Sequence, residues 1–237
     1  MGLVVPAVIP SSRQELWEKL ELFSKIPSVS RIQIDVVDGR FASPASWPYT
    51  APEEMQKILL EGEMLPQLHE IEYEIDLMCI DAERAAGNWL ALGASRITFH
   101  AESSTNLLGL LDSVKKKYGS NGFSSLVSFG IAINIESDLV LIKSVLDEIE
   151  YVQFMGITKI GKQGQLFDER VFEKIRTFHS RHPEIPVQVD GGVSHRNAAE
   201  LVKLGVSNLI IGSALVRGGS PSAAIAKFEE LKSSFGV

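Results

Sequence analysis

A single cysteine, Cys79, in 237 residues excludes an internal disulfide framework. It lies in the apolar run Leu77-Met78-Cys79-Ile80, where a buried structural thiol is expected rather than a nucleophile. Long hydrophobic runs are also lacking. The apolar stretches are strand-sized, too short to cross a bilayer. Positive charge is in deficit, with 23 Lys and Arg against 30 Asp and Glu and a net charge of −7. That balance argues against nucleic acid or an anionic membrane as the main partner. An anionic ligand must therefore be held by local groups. The opening Met-Gly-Leu-Val-Val-Pro has no basic leader and no small-residue cleavage pattern, so neither a signal peptide nor an anchor is expected. GxSxG, Walker and dinucleotide-binding motifs are missing, which removes support for hydrolase, ATPase and dehydrogenase chemistry. The five histidines are His69, His100, His179, His182 and His195, and no pair has the spacing of a zinc motif. His179 and His182 read as exposed, on a helix and the turn after it. Only His100 falls at a strand end.

What is present is alternation. Eight near-continuous apolar runs begin the units: Leu3–Ile9, Arg31–Val37, Ile71–Ile80, Arg96–His100, Leu126–Asn134, Tyr151–Ile157, Ile185–Asp190 and Asn208–Gly212. Such runs are the mark of parallel strands covered on both faces. Between them lie amphipathic stretches with helical spacing. Ser12–Lys25 carries Leu16, Leu20 and Phe23 on one stripe. Asp81–Leu92 opens with an acidic N-cap candidate. Asp168–His182 repeats Val171, Ile175 and Phe178, and Ser194–Leu204 stops at Gly205. A last helix follows Ser220-Pro221. Eight strand–helix units with no linker predict an α/β fold, a TIM (β/α)₈ barrel forming one domain over residues 1–237. The barrel is preferred to an open sheet because the polar motifs cluster at strand C-terminal ends, which a barrel gathers at one mouth.

Two of those ends carry glycine turns. Val189-Asp190-Gly191-Gly192-Val193-Ser194 follows the seventh strand and Ile211-Gly212-Ser213-Ala214 the eighth. Glycine lets backbone approach a bulky anion, and the helix start just beyond adds partial positive charge. Either turn alone is explained by a tight βα connection. The adjacent pair favours a phosphate cradle at Gly191, Gly192, Gly212 and Ser213. A third polar stretch, Met155 to Gln165, contains Gly164, Lys159 and Lys162. It reads equally as a lid closing over a ligand or as a solvated loop.

Carboxylates form the second constellation. Asp35 ends the second strand and Asp190 the seventh, on strands expected to lie across the barrel from each other. Two carboxylates flanking one carbon suit a two-base epimerisation α to a carbonyl. Glu74, Asp76 and Met78 alternate on the third strand, and Gln33 shares the face of Asp35. Gln33, Asp35, Asp76 and Asp190 together would make an oxygen-rich site for a hard cation, Mg²⁺ or Mn²⁺ before Zn²⁺ or Fe²⁺. An acidic cavity without metal is the equal alternative.

Over nearly its whole length the sequence resembles the ribulose-phosphate 3-epimerase family. The resemblance is carried by Ile34-Asp35-Val36-Val37-Asp38-Gly39-Arg40-Phe41, Thr98-Phe99-His100-Ala101-Glu102, Val189-Asp190-Gly191-Gly192-Val193, Gly212-Ser213-Ala214 and the opening Val5-Pro6-Ala7-Val8-Ile9. It implies a TIM barrel, a phosphorylated ketopentose ligand, a cytoplasmic enzyme and a homo-oligomer. It also implies a divalent metal held by two aspartates, matching Asp35 and Asp190, and two histidines. Here Gln33 and Asp76 stand at the histidine positions. Ala7 stands where the family has a serine, and the loop Ile160-Gly161-Lys162-Gln163-Gly164 is one residue longer. If no metal binds, at least one of the three crowded carboxylates should have a raised pKa, and positive charge would have to come from elsewhere, such as Lys159 or Lys162. Three readings follow. The first is epimerisation of ribulose 5-phosphate or xylulose 5-phosphate at C3. The second is a different sugar-phosphate lyase on the same barrel, although the Asp-x-Lys-x-x-Asp run of the related decarboxylases is missing after Asp76. The third is a catalytically impaired sugar-phosphate-binding protein.

Overall fold

The computed structural model describes residues 2–119, 127–217 and 219–235. Eight parallel strands close into a barrel in sequence order: β1 (Val4–Val8), β2 (Arg31–Val37), β3 (Glu72–Met78), β4 (Arg96–His100), β5 (Ser128–Ile133), β6 (Tyr151–Met155), β7 (Val187–Asp190) and β8 (Asn208–Ile211). The ring is completed by β1 pairing with β8. This is the TIM barrel that the alternation predicted. The start of the fifth run, Leu126, lies outside the described residues.

Helices cover the outside: α1 (Arg13–Ser24), α2 (Pro52–Glu61), α3 (Ala82–Ala91), α4 (Leu107–Val114), α5 (Arg170–His179), α6 (His195–Lys203), α7 (Ser213–Val216) and α8 (Pro221–Phe235). The predicted stripes are the buried ones. Leu16, Leu20 and Phe23 face inward on α1, as do Val171, Ile175 and Phe178 on α5. The Ser12 hydroxyl caps α1 by accepting from the Glu15 amide at 3.2 Å. Asp81 precedes α3 as expected, but its carboxylate serves Tyr49 and Arg84 rather than the helix amides. His179 and His182 are half-buried, not exposed, because the His179 Nδ1 meets the Leu204 carbonyl at 2.9 Å and the His182 ring packs on Phe178. Among the described residues no helix is long and apolar enough to cross a membrane.

Alternation along each strand sorts the residues. Ile32, Ile34 and Val36, then Tyr73, Ile75 and Leu77, join the apolar layer between barrel and helices. The inward residues are unusually polar. Deep in the barrel the Glu74 carboxylate is fully buried and accepts from Arg96 Nε at 3.0 Å and Thr98 Oγ1 at 3.1 Å, and also from Gln188. Arg31 stands 3.7 Å away. The Arg96 guanidinium stacks 3.9 Å over the Tyr151 ring. A buried charge this well paired is a strut of the barrel, not a vacant ligand. It forms the floor below the site.

Candidate active site

Above that floor the three aspartates converge. Asp35 and Asp76 are register partners on neighbouring parallel strands, so both side chains point into the barrel side by side. Asp190 arrives from β7, and one oxygen from each of the three lies within 4.8 Å of the others. The strands β2 and β7 are not opposite each other. Only β8 and β1 separate them, and the inward carboxylates meet near the axis. Gln33 lies among them, its Nε2 donating to Asp35 Oδ1 at 2.8 Å and to Asp190 Oδ2 at 3.1 Å. Its buried Oε1 has no hydrogen-bond partner.

The cluster has two tiers. Asp35 and Asp190 line a cavity of about 530 Å³ at the barrel mouth. Asp76 lies below, fully buried, between His100 Nε2 at 2.9 Å and Gln153 Nε2 at 3.0 Å. Gln153 in turn accepts from Gln188 at 2.7 Å, which ties the tier to the Glu74 strut. Burial above all, then the charges of Asp190 and Asp76, holds the Asp35 pKa well above the usual carboxylate range. Burial and the Asp76 charge push Asp190 up to about 7, partly offset by the Gln33 hydrogen bond and His100. Burial opposes charge on His100, but the Asp76 charge and hydrogen bond outweigh it and raise its pKa. Burial pushes the Cys79 thiol up to about 12, as suits an inert core thiol.

Gly191, Gly192, Gly212, Ser213 and Gly164 line the same cavity. Gly192 has φ +68°, and a Cβ there would lie 2.6 Å from the Phe167 backbone. Its carbonyl is pinned by Asn197 Nδ2 at 3.1 Å, while Asn197 Oδ1 accepts from the Ser194 amide at 2.8 Å. The β7 turn is thus locked to the first turn of α6. Gly192→Ala is expected to lower thermal stability by about 2 kcal/mol, from left-handed strain plus the clash, and to weaken inorganic phosphate binding in calorimetry. Unchanged phosphate affinity would remove this turn from the cradle. The third glycine stretch folds over the mouth. Ile160 packs against the cluster of Val37, Ala42 and Met78, and the Asp168 amide closes the loop base on the Gly156 carbonyl at 2.8 Å. Lys162 lines the cavity and Lys159 is exposed.

Every predicted site residue therefore meets at one mouth, with Gln33 and Asp76 beneath the cavity rather than on its surface. Sequence reasoning assigned no role to His100, Gln153 or Asn197. For Gln153 the signal was present in the alternation Tyr151, Gln153, Met155. Partners from distant strands have no such signature.

A closed eight-stranded parallel barrel whose last two strands end in glycine turns, facing clustered aspartates, is a TIM barrel with its candidate site at the mouth. The chain belongs to the ribulose-phosphate 3-epimerase family, whose model matches residues 3–216. It is 24% identical over 228 residues to a ribulose-phosphate 3-epimerase of Mycobacterium leprae (strain TN), covering 94% of this chain and 92% of that one. It is 23% identical over 235 residues to that of Aquifex aeolicus (strain VF5), covering 98% and 97%. Among solved structures, 3-hexulose-6-phosphate synthase from Salmonella typhimurium superposes with a TM-score of 0.67 at 14% identity, covering 99% of each chain. That likeness is one of fold.

Proposed function

We propose that the protein binds ribulose 5-phosphate or xylulose 5-phosphate and interconverts them at C3 by proton transfer between Asp35 and Asp190. One observation carries the reading: of the acidic cluster, these two carboxylates border the cavity that the phosphate-side glycines also line. With the phosphate at Gly191, Gly192, Gly212, Ser213 and Gly164, the carbon chain extends toward the aspartates. One carboxylate takes the C3 proton, leaving an enediolate across C2 and C3. The other carboxyl returns a proton to the opposite face. This chemistry requires one aspartate ionised and its neighbour protonated. Close like charges favour that state at neutral pH.

The donor set fits a hard divalent cation. Three carboxylate oxygens are gathered, and rotation of the Gln33 amide would turn its unpartnered buried oxygen toward them. Asp35, Asp76, Asp190 and Gln33 would hold the ion, Mg²⁺ or Mn²⁺ in preference to Zn²⁺ or Fe²⁺. When bound, it supplies positive charge to the enediolate oxygens. A second reading, a sugar-phosphate binder without turnover, is favoured by the satisfied state of the carboxylates. Gln33, His100 and Gln153 already provide their partners.

The deciding experiment measures the metal content of the purified protein and follows deuterium incorporation from solvent at C3 of ribulose 5-phosphate. It is run with a chelator and then with Mg²⁺, Mn²⁺, Zn²⁺ or Fe²⁺. Exchange that rises with Mg²⁺ or Mn²⁺ is expected. No exchange with any ion, together with thermal stabilisation by the sugar phosphate, would leave the binder reading standing.

A further inference from the structure

The strand order β8, β1, β2 places the β1 wall of the cavity between Gly212 on the phosphate side and Asp35 on the acid/base side. A ligand that joins those two points must run along this wall. Its apolar lining is Ala7 on β1, Ile9 just beyond it and Ile210 on β8, and Ala7 and Ile210 cluster with Val5 inside the barrel. A hydroxyl pressed against such a surface loses its water and gains no side-chain partner. The polar group that reaches the wall comes from elsewhere. Gln163, in the loop after β6, extends across the mouth, and its Nε2 donates to the Ala7 carbonyl at 3.2 Å. The same amide lies against Gly212, where a Cβ would fall 2.3 Å from Nε2. The backbone of Gly212 thus leaves room for the Gln163 carboxamide as well as for a ligand.

The loop is built to hold this pose. Gln165 turns back and donates to the carbonyls of Lys159 and Lys162, the latter at 2.8 Å. Ile160 is half-buried against the apolar cluster of Val37, Ala42 and Met78, and Arg217 approaches the Gly164 carbonyl at 3.5 Å. Anchors thus flank Gln163 on both sides.

We propose that Gln163 is a specificity-determining residue. Its carboxamide recognises the ligand hydroxyl that lies between the phosphate and the reacting carbon, with Nε2 held by Ala7 and Oε1 left to accept from that hydroxyl. In a ketopentose 5-phosphate that group is the C4 hydroxyl. The assignment rests on the sugar-phosphate reading above and narrows it to ligands that carry a hydroxyl midway along the chain.

The test compares the unaltered protein with Gln163→Ala and Gln163→Glu. Calorimetry follows two ligands, ribulose 5-phosphate and ethyl phosphate, which carries the same dianion without hydroxyls. Loss of one hydrogen bond to a buried hydroxyl corresponds to about tenfold in affinity. Gln163→Ala is therefore expected to bind ribulose 5-phosphate about tenfold more weakly and ethyl phosphate unchanged. Gln163→Glu, which keeps an acceptor, should retain part of the discrimination between the two ligands. Equal loss for both ligands would mean that Gln163 only shapes the phosphate cradle, and tighter binding by Gln163→Ala would mean that it obstructs the site. Either result overturns the assignment while the ligand reading stands. Failure of the unaltered protein to bind ribulose 5-phosphate overturns both.

Discussion

Asp190→Asn is expected to slow C3 exchange by orders of magnitude and, at the same time, to raise stability at alkaline pH. The carboxyl lines the cavity and is one of the two groups proposed to move the proton. Its loss should cost roughly 10²–10⁴-fold in turnover, the usual contribution of a positioned acid or base. The stability effect follows from the pKa. In the unfolded chain Asp190 ionises near the ordinary value of 3.8, while in the fold it keeps its proton up to about pH 7. The protonated form stabilises the fold fully below the unfolded pKa, and this advantage is lost as pH rises through about 7. Asparagine has no charge to bury and still accepts from Gln33. In chelator-treated protein the variant should match the parent at pH 4 and exceed it at pH 8 by on the order of 2 kcal/mol. For a chain of this length that is about 5 °C in Tm. Asp35→Asn should shift stability in the same direction, since burial and then the Asp190 and Asp76 charges raise its pKa. Thermal unfolding across pH with parallel exchange assays checks both halves. An Asn variant that exchanges C3 protons at the parent rate would refute the two-base assignment. One that gains no stability at pH 8 would show that the pair is not crowded in solution.

The largest loss of stability is expected away from the cavity, at Glu74. Its carboxylate is fully buried and accepts from Arg96, Thr98 and Gln188, with Arg31 close by. Glu74→Ala strands buried guanidinium groups without their central anion, a change that costs about 3–5 kcal/mol, or on the order of 10 °C in Tm. Glu74→Gln keeps an acceptor for Thr98 but loses the charge, so an intermediate loss is expected. Glu72 is a useful contrast. It is partnered with the same Arg31 at 3.1 Å but half exposed, and Glu72→Ala should cost below about 1 kcal/mol. Equal effects at the two positions would contradict the reading of Glu74 as the keystone of a desolvated network. Because Gln188 and Gln153 connect Glu74 to Asp76, the same variant should also loosen the floor beneath the aspartates.

Much of this molecule could be read from local pattern. Strands buried on both faces need apolar residues at nearly every position, so the eight runs announced themselves and their count implied closure. The helices α1, α5 and α6 were legible because a buried stripe recurs with the helical period. In α2 only Met55 and Ile58 are buried, too few positions for a stripe to stand out. Asp35, Asp190 and the glycine turns could be placed because chain position alone puts strand ends at the barrel mouth.

Contacts between distant segments were not legible. Nothing local distinguishes Glu74, locked between arginines from β2 and β4, from Asp76 two residues later, which joins the aspartate cluster. The same holds for His100 as the partner of Asp76, for Gln33 as a bridge between two carboxylates, and for Gln163 reaching Ala7 from 156 positions away. The sequence by itself determined the barrel, its mouth and the residue types gathered there, because periodicity and turn chemistry act between near neighbours. Only the tertiary structure decided which carboxylates meet the cavity and which are tied down beneath it. That choice depends on strand register and barrel closure, which bring side chains together across the ring regardless of their distance along the chain.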